Sequence, residues 1–148
     1  MRAHCLLFLL VTFIVAADEP KGNSAKKDMD KLQGYWRVSN VAQVGTLGPD
    51  KDVRNLRLVF TEKILSFEWV GKATYDAKYR LDPTKKPKTI DITFITGPDE
   101  GKTFRGIYEL EGKTLKLCYS RSESKRPTKL SSKPEAECLL LVLKQTKP

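Results

Sequence analysis

Four acidic residues are the first candidates for chemistry in this sequence, because two carboxyl groups can act as general acid and general base. They are Asp76, Asp91, Glu109 and Glu111. The alternation of apolar and polar residues around the first three puts them on the solvent-facing side of predicted strands. Ion pairs with basic residues of neighbouring strands explain these acids as well as catalysis does. We therefore predict that the protein is not an enzyme.

Histidine and cysteine narrow the possible chemistry further. The only histidine is His4, and only Cys118 and Cys138 follow residue 17. If residues 1–17 are removed, Ser-His-Asp and Cys-His machinery, zinc sites containing histidine, and four-cysteine sites are all excluded. We predict neither a metal site nor a cofactor.

The N-terminus has the pattern of a secretory signal peptide. Arg2 precedes the apolar run "CLLFLLVTFIVAA", which ends in small residues and is shorter than the roughly 20 residues of a membrane span. We predict a signal peptide over residues 1–17, with an uncleaved anchor as the alternative. The expected location is secreted or periplasmic, and no membrane span is expected after cleavage.

Positive charge indicates the kind of partner. Without residues 1–17 the chain keeps 26 of its 27 Lys and Arg and all 18 Asp and Glu, a formal net charge of +8. Export argues against nucleic acid as the partner, so an anionic polymer outside the cytoplasm or an anionic membrane surface suits this charge better. The alternative is a surface whose excess lysines are simply solvated.

The motif "LDPTKKPKTIDI" concentrates that charge in a turn. Lys85, Lys86 and Lys88, together with Arg126 of the later "SKRPTK", are the predicted anion contacts. The structural alternative is that Asp82 and two prolines set the turn while the lysines are solvated.

One short helix and eight strands follow from the periodicity of the sequence. Residues 18–33 are predicted as a flexible lead and a short helix, with Ser24 as its N-cap and Gly34 just beyond its end. From residue 34 to residue 148, apolar residues alternate with polar ones, and the links between runs are mostly short turns. Short links predict an antiparallel meander, and closure removes its exposed edges. We predict an all-β domain, an eight-stranded up-and-down barrel over residues 34–148.

Cys118 and Cys138 lie at the end of the seventh strand and the start of the eighth. In an oxidising compartment such a pair favours a disulfide, with two unpaired cysteines as the alternative. The bridge requires Leu139, Leu141 and Leu143 to face inward. Leu140 and Val142 are then outside, where the N-terminal segment could cover them.

Aromatic residues occur on almost every predicted strand. Eight strands enclose room for packed side chains or for one small ligand. The bulky rings favour a largely filled interior, and a cavity, if present, would be lined by a small set of rings. The predicted ligand-binding residues are Phe67, Trp69, Tyr75, Tyr79 and Tyr108.

Gly34 and Trp36 in "KLQGYWRVSN" open the first of the eight strands. This placement resembles the lipocalin-like (calycin) architecture, in which a Gly-x-Trp begins the first strand and the indole closes one barrel end. The resemblance implies a basic residue over the indole, in a cation–π contact. Lys144, at the end of the final strand, is the best-placed candidate, and Arg105 is the alternative.

Longer motifs resemble the exported planctomycete paralogous domain family, which has no assigned function. They are "LQGYWRV", "YRLDPTKKPKTIDI", "GKTFRGIYELEGKTLKLCYS", "RPTKLSSKP" and a closing "LVLK". The resemblance implies export and a lipocalin-like barrel, and it carries no catalytic residues. We expect a monomeric, non-catalytic exported module that contacts an anionic polymer or a protein partner through its basic loops. The alternative is a lipocalin-like carrier of a small apolar or amphipathic ligand.

Overall fold

The computed structural model describes residues 21–43, 55–120, 123, 125–131 and 138–148. The predicted signal peptide, the first three residues of the predicted lead (18–20) and parts of the polar segment before the last strand lie outside the described residues.

The helix α1 spans Lys21–Leu32, so it includes three residues before the predicted N-cap. Ser24 therefore lies within the helix, and its prediction as the N-cap was wrong. Leu32 is buried in the core and Met29 packs against it, as apolar residues three apart on one helix face should. Gly34 follows with φ of +108°, a backbone conformation that favours glycine, and the first strand begins there.

The eight predicted strands form a closed antiparallel barrel in which each strand pairs with the next one along the chain. The last strand pairs with the first, for example Thr146 with Tyr35, so the sheet has no free edge. The predicted up-and-down barrel with one short helix is therefore confirmed. The strands are β1 (Gly34–Gln43), β2 (Leu56–Phe60), β3 (Ile64–Trp69), β4 (Thr74–Asp82), β5 (Lys88–Phe94), β6 (Thr103–Glu111), β7 (Thr114–Ser120) and β8 (Cys138–Thr146).

Alternation along the strands puts one set of side chains inside the barrel. The interior cluster contains Trp36 and apolar residues from all eight strands, including Leu139, Leu141 and Leu143 of β8 as predicted. A second cluster lies on the outer side of the barrel wall and consists of Ile107, Cys118 and Leu140. Leu130 and Cys138 pack against it. The N-terminal segment before residue 21, which was expected to cover it, lies outside the described residues.

Leu130 belongs to residues 125–131, which we call the covering segment. Arg126 holds this segment against the barrel, since its guanidinium donates to the carbonyl oxygens of Ile90 (3.1 Å) and Gly106 (2.7 Å). It also pairs with the carboxylate of Asp91 at 2.6 Å. A planar group with several donors is well suited to bind two carbonyls and a carboxylate at once.

Trp36 lies at the barrel end that α1 covers, which we call the helix end. Its side chain is fully buried, and its indole Nε1 donates to the carbonyl oxygen of Leu32 at 2.7 Å. The predicted burial of Trp36 beside the helix is therefore confirmed. Lys144 is exposed and its Nζ donates to Thr114 Oγ1 at 2.6 Å. The alternation that turns Leu143 inward turns Lys144 outward, so the prediction that Lys144 covers the indole was wrong. The alternative residue, Arg105, is exposed as well.

Candidate functional site

A groove of about 850 Å³ lies on the outer side of the barrel, beside the connection between β4 and β5. We call it the basic groove. Gly22 and Ala25 of α1 line it on one side, and Pro127 and Thr128 of the covering segment line it on another. Its basic lining residues are Arg80, Lys85, Lys86 and Arg126. The structure thus brings three of the four predicted anion contacts together and adds Arg80.

The connection between β4 and β5 owes its shape to local chemistry. The carboxylate of Asp82 accepts a hydrogen bond from the backbone N–H of Thr84 at 3.1 Å and another from its hydroxyl group. This Asx-type turn begins the loop, and Pro83 and Pro87 restrict the backbone on both sides of the two lysines. The lysines are therefore presented from a backbone with little conformational freedom.

Charges in the basic groove are only partly balanced. Asp91 forms its ion pair with Arg126, so the guanidinium of Arg126 is already engaged. In the described part of the chain, Arg80, Lys85 and Lys86 form no ion pair, and the side chains of all three are exposed. The groove therefore has positive charge that an incoming anion can neutralise.

A second groove, of about 390 Å³, lies on the other side of the same connection. Pro83, Lys85, Lys86 and Pro87 line both grooves, so the loop that carries the two lysines stands between them. Lys88, the fourth predicted anion contact, lines only the second groove.

Lys88 has a structural partner in α1. Its Nζ lies 2.6 Å from the carboxylate of Asp28, and the hydroxyl of Tyr108 donates to the same oxygen at 2.7 Å. Asp28 is 6% exposed, and Tyr108 is buried with its pKa raised by loss of solvation and by the hydrogen bond to Asp28. These three residues join the helix to β5 and β6, which leaves less of the Lys88 charge for a ligand.

The predicted ligand-binding aromatics separate into two groups. Tyr79 and Tyr108 lie at the helix end, where the Tyr79 hydroxyl donates to the carbonyl of Thr61 at 2.6 Å. Phe67, Trp69 and Tyr75 lie towards the opposite end, which we call the aromatic end. Its rings contact one another with centroids 5.1–6.5 Å apart, and they are Phe67, Trp69, Tyr75, Phe94, Phe104 and Tyr119.

No disulfide joins Cys118 and Cys138 in the structure, so the predicted bridge is not formed. The strand register explains this, because Cys138 lies opposite Ser120, while Cys118 lies opposite Leu140. The two thiols are diagonal neighbours on the outer face and not direct partners. Burial raises the pKa of Cys118 to about 12, and the neighbouring thiol of Cys138 adds to the shift.

Sequence reasoning missed Arg80 as part of the groove. It precedes the motif "LDPTKKPK" by one residue and faces outward in β4, between the inward Tyr79 and Leu81. Its position on the solvent-facing side, next to a basic turn, was the signal available.

Among the described residues, no cluster of three or more His, Cys, Asp or Glu side chains could hold a metal ion. Nor does any helix in that part of the chain have the length and apolar character needed to cross a membrane. No protein-family model, curated protein or solved structure matches this chain.

Proposed function

We propose that this protein is a non-catalytic exported module that binds an anionic polymer, most specifically an acidic polysaccharide, in its basic groove. The observation that carries this proposal is the convergence of Arg80, Lys85 and Lys86, which have no ion-pair partner in the described structure, on one groove. Its volume of about 850 Å³ falls within the range of about 300–1,000 Å³ that is common for ligand sites.

A polymer suits the site better than a small anion because of how the grooves are arranged. The β4–β5 connection exposes Lys85 and Lys86 to both grooves, so a chain in the basic groove can extend over the loop and contact both lysines. The second groove itself is also lined by Glu109 and Glu111. Pro83, Pro87 and Pro127 add apolar surface without side-chain entropy to lose. Such a surface fits sugar rings, while the cations bind their carboxylate or sulfate groups.

The two acids that line the basic groove also favour a binding role, because both already have structural partners. Asp82 accepts two hydrogen bonds from Thr84, and Asp91 is paired with Arg126. Both carboxylates thus maintain the loop and the covering segment. The groove supplies fixed charge and shape, and the predicted export points to a polyanion outside the cytoplasm.

Binding to immobilised heparin and to polygalacturonate tests the proposal with a sulfated and a carboxylated polymer. The variant Lys85→Gln/Lys86→Gln should bind at least about tenfold more weakly than the wild type, which is about 1.4 kcal/mol. The matched control is Lys63→Gln/Lys78→Gln, which removes two exposed lysines that line neither groove. Equal losses in both variants would mean that only net charge matters, and the groove would not be the site.

A second candidate function is supported by the aromatic end. Trp69, Tyr75 and Tyr119 are only half-buried there, although they pack against the fully buried Phe67. Half-buried rings at a barrel end can stack on an apolar or amphipathic ligand. Native mass spectrometry of the purified protein tests this carrier function, because a bound small molecule would add a defined mass.

A further inference from the structure

We propose that the barrel has a second anion-binding surface on the wall opposite the basic groove, so that one molecule links two chains of anionic polysaccharide. This inference rests on the proposed function of the basic groove. The second surface consists of Arg57, Arg37 and Lys144 on the adjacent strands β2, β1 and β8, and we call it the cationic row.

The strand register aligns the three cations. Arg37 lies directly opposite Arg57 in the pairing of β1 with β2, and directly opposite Lys144 in the pairing of β1 with β8. All three side chains point outward, since their strand neighbours Trp36 and Leu143 are buried inside. Adjacent strands are about 4.8 Å apart, so the cationic row spans about 10 Å.

Neutralisation of the row is incomplete. Arg57 donates from Nε to the carboxylate of Glu68 at 2.7 Å, and its guanidinium lies 5.1 Å from the ring centre of Tyr35. Lys144 bonds to the hydroxyl of Thr114, which carries no charge. Within the described residues, neither Arg37 nor Lys144 forms an ion pair with an acid. The row therefore keeps about two positive charges.

Elsewhere on the barrel wall, charged residues that lie directly opposite each other have opposite signs. In the described registers, four other pairs of charged residues lie directly opposite each other, and each joins an acid to a base. They are Arg57 with Glu68, Arg80 with Asp91, Asp91 with Arg105, and Glu109 with Lys116. Both like-charge pairs involve Arg37.

Like charges placed directly opposite each other on neighbouring strands destabilise a sheet. A solvated surface gives no reason for such an arrangement, and the other described registers of this barrel avoid it. An anionic group bound over Arg37 would contact two or three cations and remove the repulsion. Because local conflicts of this kind tend to occur at functional sites, the geometry assigns an anion to the row.

The two surfaces lie on opposite walls. In the closed strand order β1 lies four strands from β5, whose residues Thr89 and Asp91 line the basic groove. A polysaccharide chain in the basic groove therefore leaves the cationic row free for another chain. Two binding surfaces on one barrel make the protein a cross-linker of the polymer.

A sandwich assay tests this inference. Wild-type protein is captured on immobilised heparin, unbound protein is removed, and fluorescently labelled heparin is added in solution. We expect the captured wild type to bind the labelled chains. At equal surface density, Arg37→Gln/Lys144→Gln should remain bound to the surface through the basic groove and capture at least about tenfold less label. Its melting temperature should be at or above that of the wild type, because the like-charge pairs are gone.

Control variants separate this inference from the proposed function. Lys63→Gln/Lys78→Gln has the same charge as the row variant and should capture label as the wild type does. Capture by the row variant at the wild-type level, equal loss in this control, or no capture by the wild type would each overturn the cross-linking proposal. The proposed function fails by a different result, namely unchanged heparin affinity in Lys85→Gln/Lys86→Gln.

Discussion

Single residues decide how the helix is attached to the barrel. Asp28 is a buried acid whose carboxylate accepts from the Tyr108 hydroxyl and pairs with Lys88. These partners lie 80 and 60 residues away along the chain, so the sequence around Asp28 gave no indication of them. In the sequence Asp28 cannot be distinguished from Asp30, which is exposed and, among the described residues, pairs with Lys26.

Replacing Asp28 with alanine should cost about 1–3 kcal/mol of unfolding free energy, because the buried Tyr108 hydroxyl loses its acceptor. Asp30→Ala on the same helix is the matched control, and it should change stability by no more than about 0.5 kcal/mol, since its ion pair is exposed. Urea unfolding of the two variants measures the difference. Equal stability of the two variants would show that Asp28 does not hold the helix to the barrel.

Trp36 and Lys144 show which side-chain positions can be predicted from the sequence. The burial of Trp36 was predictable, because it depends on a local pattern at the start of the first strand. The position of Lys144 was predicted incorrectly from the resemblance to another architecture. Strict alternation with the inward Leu143 would have placed Lys144 outside, so the physical signal was present and should have been preferred.

At the scale of elements, the strands were predictable and the covering segment was not. A period of two is repeated in eight runs with short turns, and closure follows from the need to remove edges. Residues 125–131 have no period, and their position depends on Arg126 binding two carbonyls and one carboxylate of distant strands. The same segment supplies Leu130, which covers Cys118 and Leu140.

Loss of Arg126 should therefore expose Cys118. In Arg126→Ala the covering segment loses its attachment, and we expect Cys118 to react with iodoacetamide about tenfold faster at pH 8, which is about 1.4 kcal/mol of easier local opening. In the wild type we expect a slow reaction, because the thiol is buried and burial raises its pKa to about 12. Peptide mass spectrometry separates labelling of Cys118 from that of Cys138.

Lys129→Ala is the control for this experiment, because Lys129 is exposed in the same segment. It should leave the labelling rate of Cys118 unchanged. If Cys118 reacts equally fast in both variants, Arg126 does not hold the segment in place.

At the scale of the whole molecule, a core inside the barrel is combined with three surfaces: the basic groove, the cationic row on the opposite wall, and the aromatic end. The sequence predicted the positive charge and the lysine-rich turn. The positive charge lies on two opposite walls because of the strand register and the closure of the barrel. Composition alone gives no information on either. The proposed function requires that an anionic polysaccharide binds first in the basic groove.

Backbone amide chemical shifts during titration with a heparin oligosaccharide test this claim most directly. At low oligosaccharide concentration we expect the largest shifts in residues 80–88 and 125–128, which form and flank the basic groove. At higher concentration, residues around Arg37 and Lys144 should follow. Shifts confined to the aromatic end, around Trp69 and Tyr75, would contradict the account.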